Sequence, residues 1–197
     1  MKVIKINPQN PEKTKIKWAI RVLENDGMVV YPTDTIYGLG ANIFSENAIK
    51  KVYSLKGRDY SKPLSVCVSE IEDIDKIAHL EGIEEIKKLL PGPFTIILNK
   101  KEKVSPMLTA GGEKIGIRIP DNRISRELTR KFPITATSAN LSGGEVPKSA
   151  HEIIELLGDS VDLIIDGGKL QGTHSTVIDW TTRPPKVLRK GGNDFKI

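Results

Sequence analysis

The sequence predicts an α/β domain built on a twisted, open, mixed sheet flanked by helices. Three observations carry this. Amphipathic stretches with apolar residues three and four apart alternate with short, continuously apolar runs of strand type. That alternation persists along nearly the whole chain, with no internal repeat, low-complexity tract or linker. A length of 197 residues has room for one sizeable hydrophobic core. A single domain over residues 1–197, without a second one, is the expected organisation.

The elements follow in order. A short strand is expected over residues 3–6. Ile16, Ala19, Ile20 and Leu23 mark one face of a helix over 12–26 that stops at Gly27. Residues 28–31 read as a buried strand. Ile49, Val52 and Tyr53 share a face of a second helix over 45–55, and Pro63 opens a strand over 64–68. Residues 70–90 read as two short helices closed by Pro91, Gly92 and Pro93, ahead of an apolar strand over 94–98. Glycines at 111, 112 and 116 bracket loops around a strand over 115–119. Asp121 or Asn122 then caps a helix carrying Ile124 and Leu128, and residues 134–137 form one more strand. Ser149 with Glu152 is a capping-box pattern before Ile153, Ile154, Leu156 and Leu157. Strands over 161–165, 176–179 and 186–189 complete the set, and the glycine-rich tail over 191–197 is expected to be mobile.

Composition narrows the function classes. Lys and Arg outnumber Asp and Glu by 30 to 25, a net charge of +5. This favours anionic partners such as nucleotides or RNA, although a mildly basic surface also serves solubility. Aromatic residues make up 5% of the chain, too few for a stacking platform along single-stranded nucleic acid, so any RNA contact would run through phosphates. The one cysteine, Cys67, excludes an intrachain disulfide and a cysteine-based zinc cluster, and reads as buried strand filler in a reducing compartment. The N-terminus lacks the apolar stretch of a signal peptide, and no run approaches the roughly 20 apolar residues that span a bilayer. A cytoplasmic location, away from membranes, is expected.

The chemistry concentrates in a few loops. The run PTDTIYGLG, residues 32–40, leaves an apolar strand for a turn rich in hydroxyls, and Lys56, Arg58 and Lys62 lie within seven positions ahead of Pro63. No phosphate loop of the GxxxxGK[ST] type and no GxGxxG follows a strand, so a bound nucleotide would depend on such side-chain cations. A solvated basic turn is the competing reading of that cluster, and a self-satisfied hydroxyl turn that of residues 33–37. Arg118 sits in a strand otherwise made of isoleucine and glycine. It needs an anion, either a substrate carboxylate or an acid of the chain such as Asp121. The run TATSANLSGG, residues 135–144, offers small polar residues that allow close approach of a ligand or cap a helix, and no GxSxG elbow surrounds Ser138. His79, His151 and His174 lack metal-ligand spacing, and His174 reads as a surface histidine.

Five segments in register, PTDTIYGLG, KGRDYSKPL, GIRIP, TSANLSG and STVID, followed by LRKG, resemble the YrdC-like family over residues 28–191. The resemblance implies an open twisted α/β sheet around a large, positively charged hollow. It also implies synthesis of L-threonylcarbamoyl-AMP and pyrophosphate from L-threonine, bicarbonate and ATP with Mg²⁺. That would be the first step of threonylcarbamoylating tRNA, with a tRNA-modifying transferase complex downstream. By matching motifs, Lys56, Arg58, Lys62, Asn140 and Arg189 would bind ATP, and Thr35, Arg118, Ser138 and Ser175 would hold threonine. No covalent protein nucleophile is implied. Cys67 stands where many relatives have histidine, and without the second domain of larger members any lid must come from this domain or its tail. A module for double-stranded RNA and a carbamoyltransferase-related domain are the alternatives.

Overall fold

A computed structural model of the chain describes residues 1–195. Its elements in chain order are β1 (Lys2–Lys5), α1 (Lys13–Glu24), β2 (Val29–Tyr31), β3 (Gly38–Gly40), α2 (Glu46–Lys56), β4 (Val66–Cys67), α3 (Ile71–Ile74), α4 (Ile83–Ile86) and β5 (Phe94–Asn99). Then come β6 (Lys114–Arg118), α5 (Arg123–Thr129), β7 (Ile134–Thr135), β8 (Thr137–Ser138), α6 (Ala150–Leu157), β9 (Leu163–Asp166), β10 (Thr176–Asp179) and β11 (Lys186–Arg189).

The strands pair in a mixed fashion, as expected, and divide into two sheets. The first runs β1-β9-β2-β3-β8, with β1, β9 and β2 parallel and β3 and β8 antiparallel to their neighbours. The second runs β11-β10-β5-β6-β4-β7 and contains two parallel pairs, β10 with β5 and β4 with β6. The stretch expected as one strand over 134–137 is split between them. Ile134 and Thr135 pair in the second sheet, while Thr137 and Ser138 pair in the first. Ala136 is the crossover residue, and its N–H donates to the Ser65 carbonyl at 2.7 Å.

The core is two clusters rather than one, because the first sheet is covered on both faces. Val29 and Tyr31 point to one side with Leu163 and Ile165, while Val30 and Ile164 point to the other, the period-two alternation of a strand. On the first side lie Ile16, Ala19 and Leu23 of α1 and Ile124 and Leu128 of α5, the stripes read from the sequence. On the other side lie α2, α6 and the second sheet. Each fully buried Leu or Ile stabilises by roughly 1.5–3 kcal/mol.

The helix ends follow their cap residues. Ser45 Oγ accepts from Ala48 N–H at the start of α2, Asn122 Oδ1 from Ser125 N–H at α5, and Ser149 Oγ from Glu152 N–H at α6. The Glu152 carboxylate reaches back to Lys148 N–H at 2.8 Å, one residue before the cap. Gly57 ends α2 at φ 55°, the left-handed conformation that favours glycine.

Two features depart from expectation. Residues 38–40 form a strand where a turn was expected. A Cβ at Gly38 or Gly40 would stand 2.8 or 2.9 Å from the Tyr31 ring, so these glycines let β3 run flat beneath that ring. The tail is docked as far as Phe195. Gly191 N–H donates to Thr176 Oγ1 at 3.0 Å, Thr176 Oγ1 donates to the Asn193 carbonyl at 2.7 Å, and Phe195 packs edge-on against Trp180. The last two residues of the expected mobile tail, 196 and 197, lie outside the described residues.

Candidate active site

The two sheets meet along a seam, and a cavity of about 170 Å³ opens there. The first sheet contributes Tyr31, Gly38 and Ser138 to its wall; the second contributes Cys67, Thr95, Arg118, Val177 and Arg189. Arg58 enters from the turn after α2, and His174 and Ser175 from the loop before β10. Loops far apart in sequence therefore converge because each leaves a strand or helix at the seam.

Arg118 occupies the interior of the second sheet, and its side chain is 8% exposed. It forms an ion pair with Asp34, whose side chain is 12% exposed. Of the two anions the sequence left open, a substrate carboxylate or an acid of the chain, the structure shows the latter, and that acid is Asp34 of the hydroxyl turn rather than Asp121. The pair is incomplete, since Arg118 Nε and Asp34 Oδ2 are buried without a hydrogen-bond partner. Burying two charges requires such pairing, and leaving donor and acceptor sites unfilled is costly.

The turn itself is held by Thr33. Its Oγ1 accepts from Thr35 N–H at 3.1 Å and donates to the Ile36 carbonyl at 2.6 Å. Thr35 Oγ1 lies 3.1 Å from Thr33 Oγ1 and faces a neighbouring cleft rather than the cavity. Tyr37 OH crosses to the Gly168 carbonyl at 2.6 Å, and burial pushes its phenol up to about 12. Tyr31 OH lies within hydrogen-bond distance of the Thr135 carbonyl at 3.0 Å and of Cys67 Sγ at 3.2 Å. Burial pushes the Cys67 thiol up to about 11, so Cys67 is buried strand material on the cavity wall and not a nucleophile at neutral pH.

The basic cluster separates. Lys56, the last residue of α2, is 3% exposed. Its ammonium donates to the Ser138 and Asn140 carbonyls, both at 2.6 Å, and to Asn140 Oδ1 at 3.2 Å. Burial, with Arg58 nearby, pushes it down to about 8. Its own carbonyl accepts from Ser142 N–H at 2.9 Å. Asn140 is equally committed: Oδ1 also accepts from Ser138 Oγ at 2.5 Å, and Nδ2 donates to the Gly144 carbonyl at 2.6 Å. Arg58 instead lies on the cavity wall, steadied by Nε on the Lys62 carbonyl and Nη2 on the Pro63 carbonyl. Lys62 is exposed on the same turn. Arg189 reaches across from β11, with Nη2 donating to the Ser175 carbonyl at 2.9 Å. Burial and the nearby Arg118 lower its pKa.

Ser175, 5% exposed, shares a hydrogen bond of 2.8 Å with Thr95 Oγ1. Of the nine expected site residues, Arg58, Arg118, Ser138, Ser175 and Arg189 line the cavity; Lys56 and Asn140 brace its wall, Lys62 stands outside, and Thr35 faces the cleft. Sequence reading missed Asp34 as Arg118's partner and misread His174, which is half-buried between cavity and cleft. Its place directly before Ser175 was the available signal.

Known proteins share this fold. The family model described as "Telomere recombination" (Sua5, yciO, yrdC) matches residues 21–191. A threonylcarbamoyl-AMP synthase of Pyrococcus abyssi is 39% identical over 92% of this chain, which spans 55% of that protein's length. The crystal structure of P. abyssi Sua5 complexed with L-threonine superposes with a TM-score of 0.92 at 37% identity, over 98% of this chain and 58% of that one. A putative threonylcarbamoyl-AMP synthase of Methanocaldococcus jannaschii is 41% identical over 90% of this chain and 86% of its own length. Escherichia coli YciO superposes with a TM-score of 0.91 at 30% identity, over 98% of this chain and 97% of that one. With these matches spread over nearly its whole length, the chain belongs to the Sua5/YciO/YrdC family.

Proposed function

We propose that the chain, acting as one domain over residues 1–197, is a cytoplasmic nucleotidyltransferase. It would form L-threonylcarbamoyl-AMP and pyrophosphate from L-threonine, bicarbonate and ATP. The observation that carries this reading is the seam cavity. Three guanidinium groups, from Arg58, Arg118 and Arg189, look onto about 170 Å³ that also presents the hydroxyls of Ser138 and Ser175. That volume suits an amino acid and is well below the roughly 300–1,000 Å³ of a pocket enclosing a drug-sized ligand, so a triphosphate would lie across the open mouth. The names of the P. abyssi and M. jannaschii relatives, and threonine in the P. abyssi crystal, point the same way.

In this reading Arg118 takes the threonine carboxylate by a forked, charge-assisted contact, Ser138 and Ser175 orient the rest of the amino acid, and Thr35 would reach it from the adjoining cleft. Arg58, Lys62 and Arg189 take the phosphates, while Lys56 and Asn140 hold the wall against which they lie. The threonine amine and bicarbonate give a carbamate, whose oxygen attacks the α-phosphate in line as pyrophosphate leaves. Guanidinium groups already in place stabilise the growing negative charge, and holding carbamate beside phosphate supplies much of the rate. Mg²⁺ would arrive on the triphosphate. Among the described residues no three metal-ligating side chains converge, and the cavity wall offers guanidinium and hydroxyl groups, one imidazole and one buried thiol but no carboxylate, a set that does not suit a protein-held Mg²⁺. The product would pass to a tRNA-modifying threonylcarbamoyltransferase complex.

Incubating the purified protein with MgATP, L-threonine and bicarbonate should release pyrophosphate and yield the adenylate by mass spectrometry. Omission of threonine or bicarbonate should abolish both signals. Equal pyrophosphate without threonine would sink the proposal in favour of simple ATP hydrolysis.

A further inference from the structure

The proposed reaction begins with a proton that must leave. L-Threonine carries an ammonium group near neutral pH, and only the free amine can attack the bicarbonate carbon. A group within reach of the cavity has to accept that proton.

Most titratable side chains around the cavity are excluded. Arg58, Arg118 and Arg189 do not deprotonate in proteins. The Cys67 thiol and the Tyr31 phenol are both pushed up by burial and hold their protons at neutral pH. Lys56 has all three donors on residues 138 and 140, and Asp34 is committed to Arg118.

His174 remains. It forms part of the wall of both the cavity and the adjoining cleft, where Asp34, Thr35 and Asp121 also lie. Its backbone is fixed on the C-terminal side: the His174 carbonyl accepts from Gly192 N–H at 3.3 Å, and the next carbonyl, that of Ser175, accepts from Arg189. Its ring nitrogens make no hydrogen bond with the described residues, so a held backbone presents a free imidazole.

Resting on the synthase reading above, we propose that His174 is the general base that takes the proton from the threonine ammonium. The transfer leaves a neutral amine and an imidazolium. The amine nitrogen then forms a bond to the bicarbonate carbon, the carbon–hydroxyl bond breaks, and the amine's second proton leaves with that hydroxyl as water. The carbamate keeps bicarbonate's single negative charge. The imidazolium returns its proton to solvent through the cleft. The surroundings favour this role: burial, then the charges of Arg189, Lys56 and Arg118, lower the His174 pKa below the ordinary histidine value, so the ring is unprotonated and ready at pH 7.

The test is the pH profile of threonine-dependent pyrophosphate release from about pH 5 to 8.5 for the wild type, His174→Gln and His174→Ala. In the wild type, kcat should fall on the acid side through a pKa below 6.5 as the imidazole protonates. His174→Gln should lose about 100-fold or more in kcat. Its threonine KM should stay within about threefold, its melting temperature should be unchanged, and its acid limb should vanish. Free imidazole should restore part of the activity of His174→Ala. A His174→Gln enzyme that keeps the wild-type limb, or one whose loss lies wholly in threonine KM, overturns the role of base and leaves the synthase reading intact. A wild type without threonine-dependent pyrophosphate release overturns both.

Discussion

Lys56 and Arg58 stand two residues apart at the end of α2, yet they occupy opposite roles. The Lys56 ammonium is buried and has spent every donor on the carbonyls and amide oxygen of residues 138 and 140. The Arg58 guanidinium spends two nitrogens on its own turn and lies on the cavity wall. Equal charge and near-identical sequence position thus produce one strut and one cavity-facing cation. What separates them is the left-handed residue between, Gly57, which turns the chain out of the helix axis.

The largest test of that contrast is Lys56→Met. It removes the ammonium from the Ser138 and Asn140 carbonyls and from Asn140 Oδ1, leaving the Asn140 carbonyl without that donor, and charge-assisted bonds contribute about 1.5–3 kcal/mol each. The variant should lose about 3 kcal/mol, seen as a melting temperature lower by roughly 6–12 °C. Arg58→Ala should melt within about 2 °C of wild type while losing most adenylate formation. If the two variants melt alike, the division into strut and cavity-facing cation fails.

A second test uses pH. The folded-state pKa of Lys56, about 8, lies below its ordinary value of 10.5. Between those values the unfolded chain binds more protons, so this residue's contribution to stability grows as pH rises. Chemical denaturation at pH 7.5 and 9.5 should show wild type gaining on Lys56→Met by roughly 2 kcal/mol. A constant difference would mean that the ammonium titrates normally.

Arg118→Lys asks whether the second buried cation resembles Arg58 in facing a ligand. Keeping the charge but losing the fork should weaken threonine binding about tenfold, or about 1.4 kcal/mol, by calorimetry, with ATP affinity unchanged. An effect confined to ATP would move Arg118 to the phosphate side.

The smallest effect is expected at Lys62. Exposed and outside the cavity, it should cost only about 0.5 kcal/mol of ATP affinity when changed to alanine, with no change in melting. RNA binding by anisotropy, at two salt concentrations with and without MgATP, checks whether such outer cations serve a polyanion instead. Tight RNA binding indifferent to ATP would favour the RNA module.

Much of this architecture is written locally and was therefore legible. The stripe of Ile16, Ala19 and Leu23, the caps Asn122 and Ser149, and the strand over 176–179 each depend on neighbours within a few positions. The split at Ala136 was not legible. Residues 134–138 are uniformly small or β-branched, and the change of sheet is set by partners at 38–39 and 66–67. The strand at 38–40 was hidden for a similar reason: its glycines answer to the distant face of Tyr31 and not to a turn. In the site, residue type announced the cations, but whether a cation is spent or free depends on acceptors some 80 positions away, as Lys56 with Asn140 shows. Asp34 and Arg118 likewise meet only through the seam.

The crossover at Ala136 has a mechanical consequence. Five consecutive residues stitch one sheet to the other, and they do so beside the wall that Lys56 braces. Prying the seam apart would rupture ladder bonds on both sides at once. The amides of Thr135, Ala136 and Ala139, which bond to Ala41, Ser65 and Tyr37, should therefore exchange with deuterium only through global unfolding, whereas those of the turn over 57–62 exchange by local opening. The molecule would breathe by lifting the turn that carries Arg58 and Lys62, as a flap over a fixed frame.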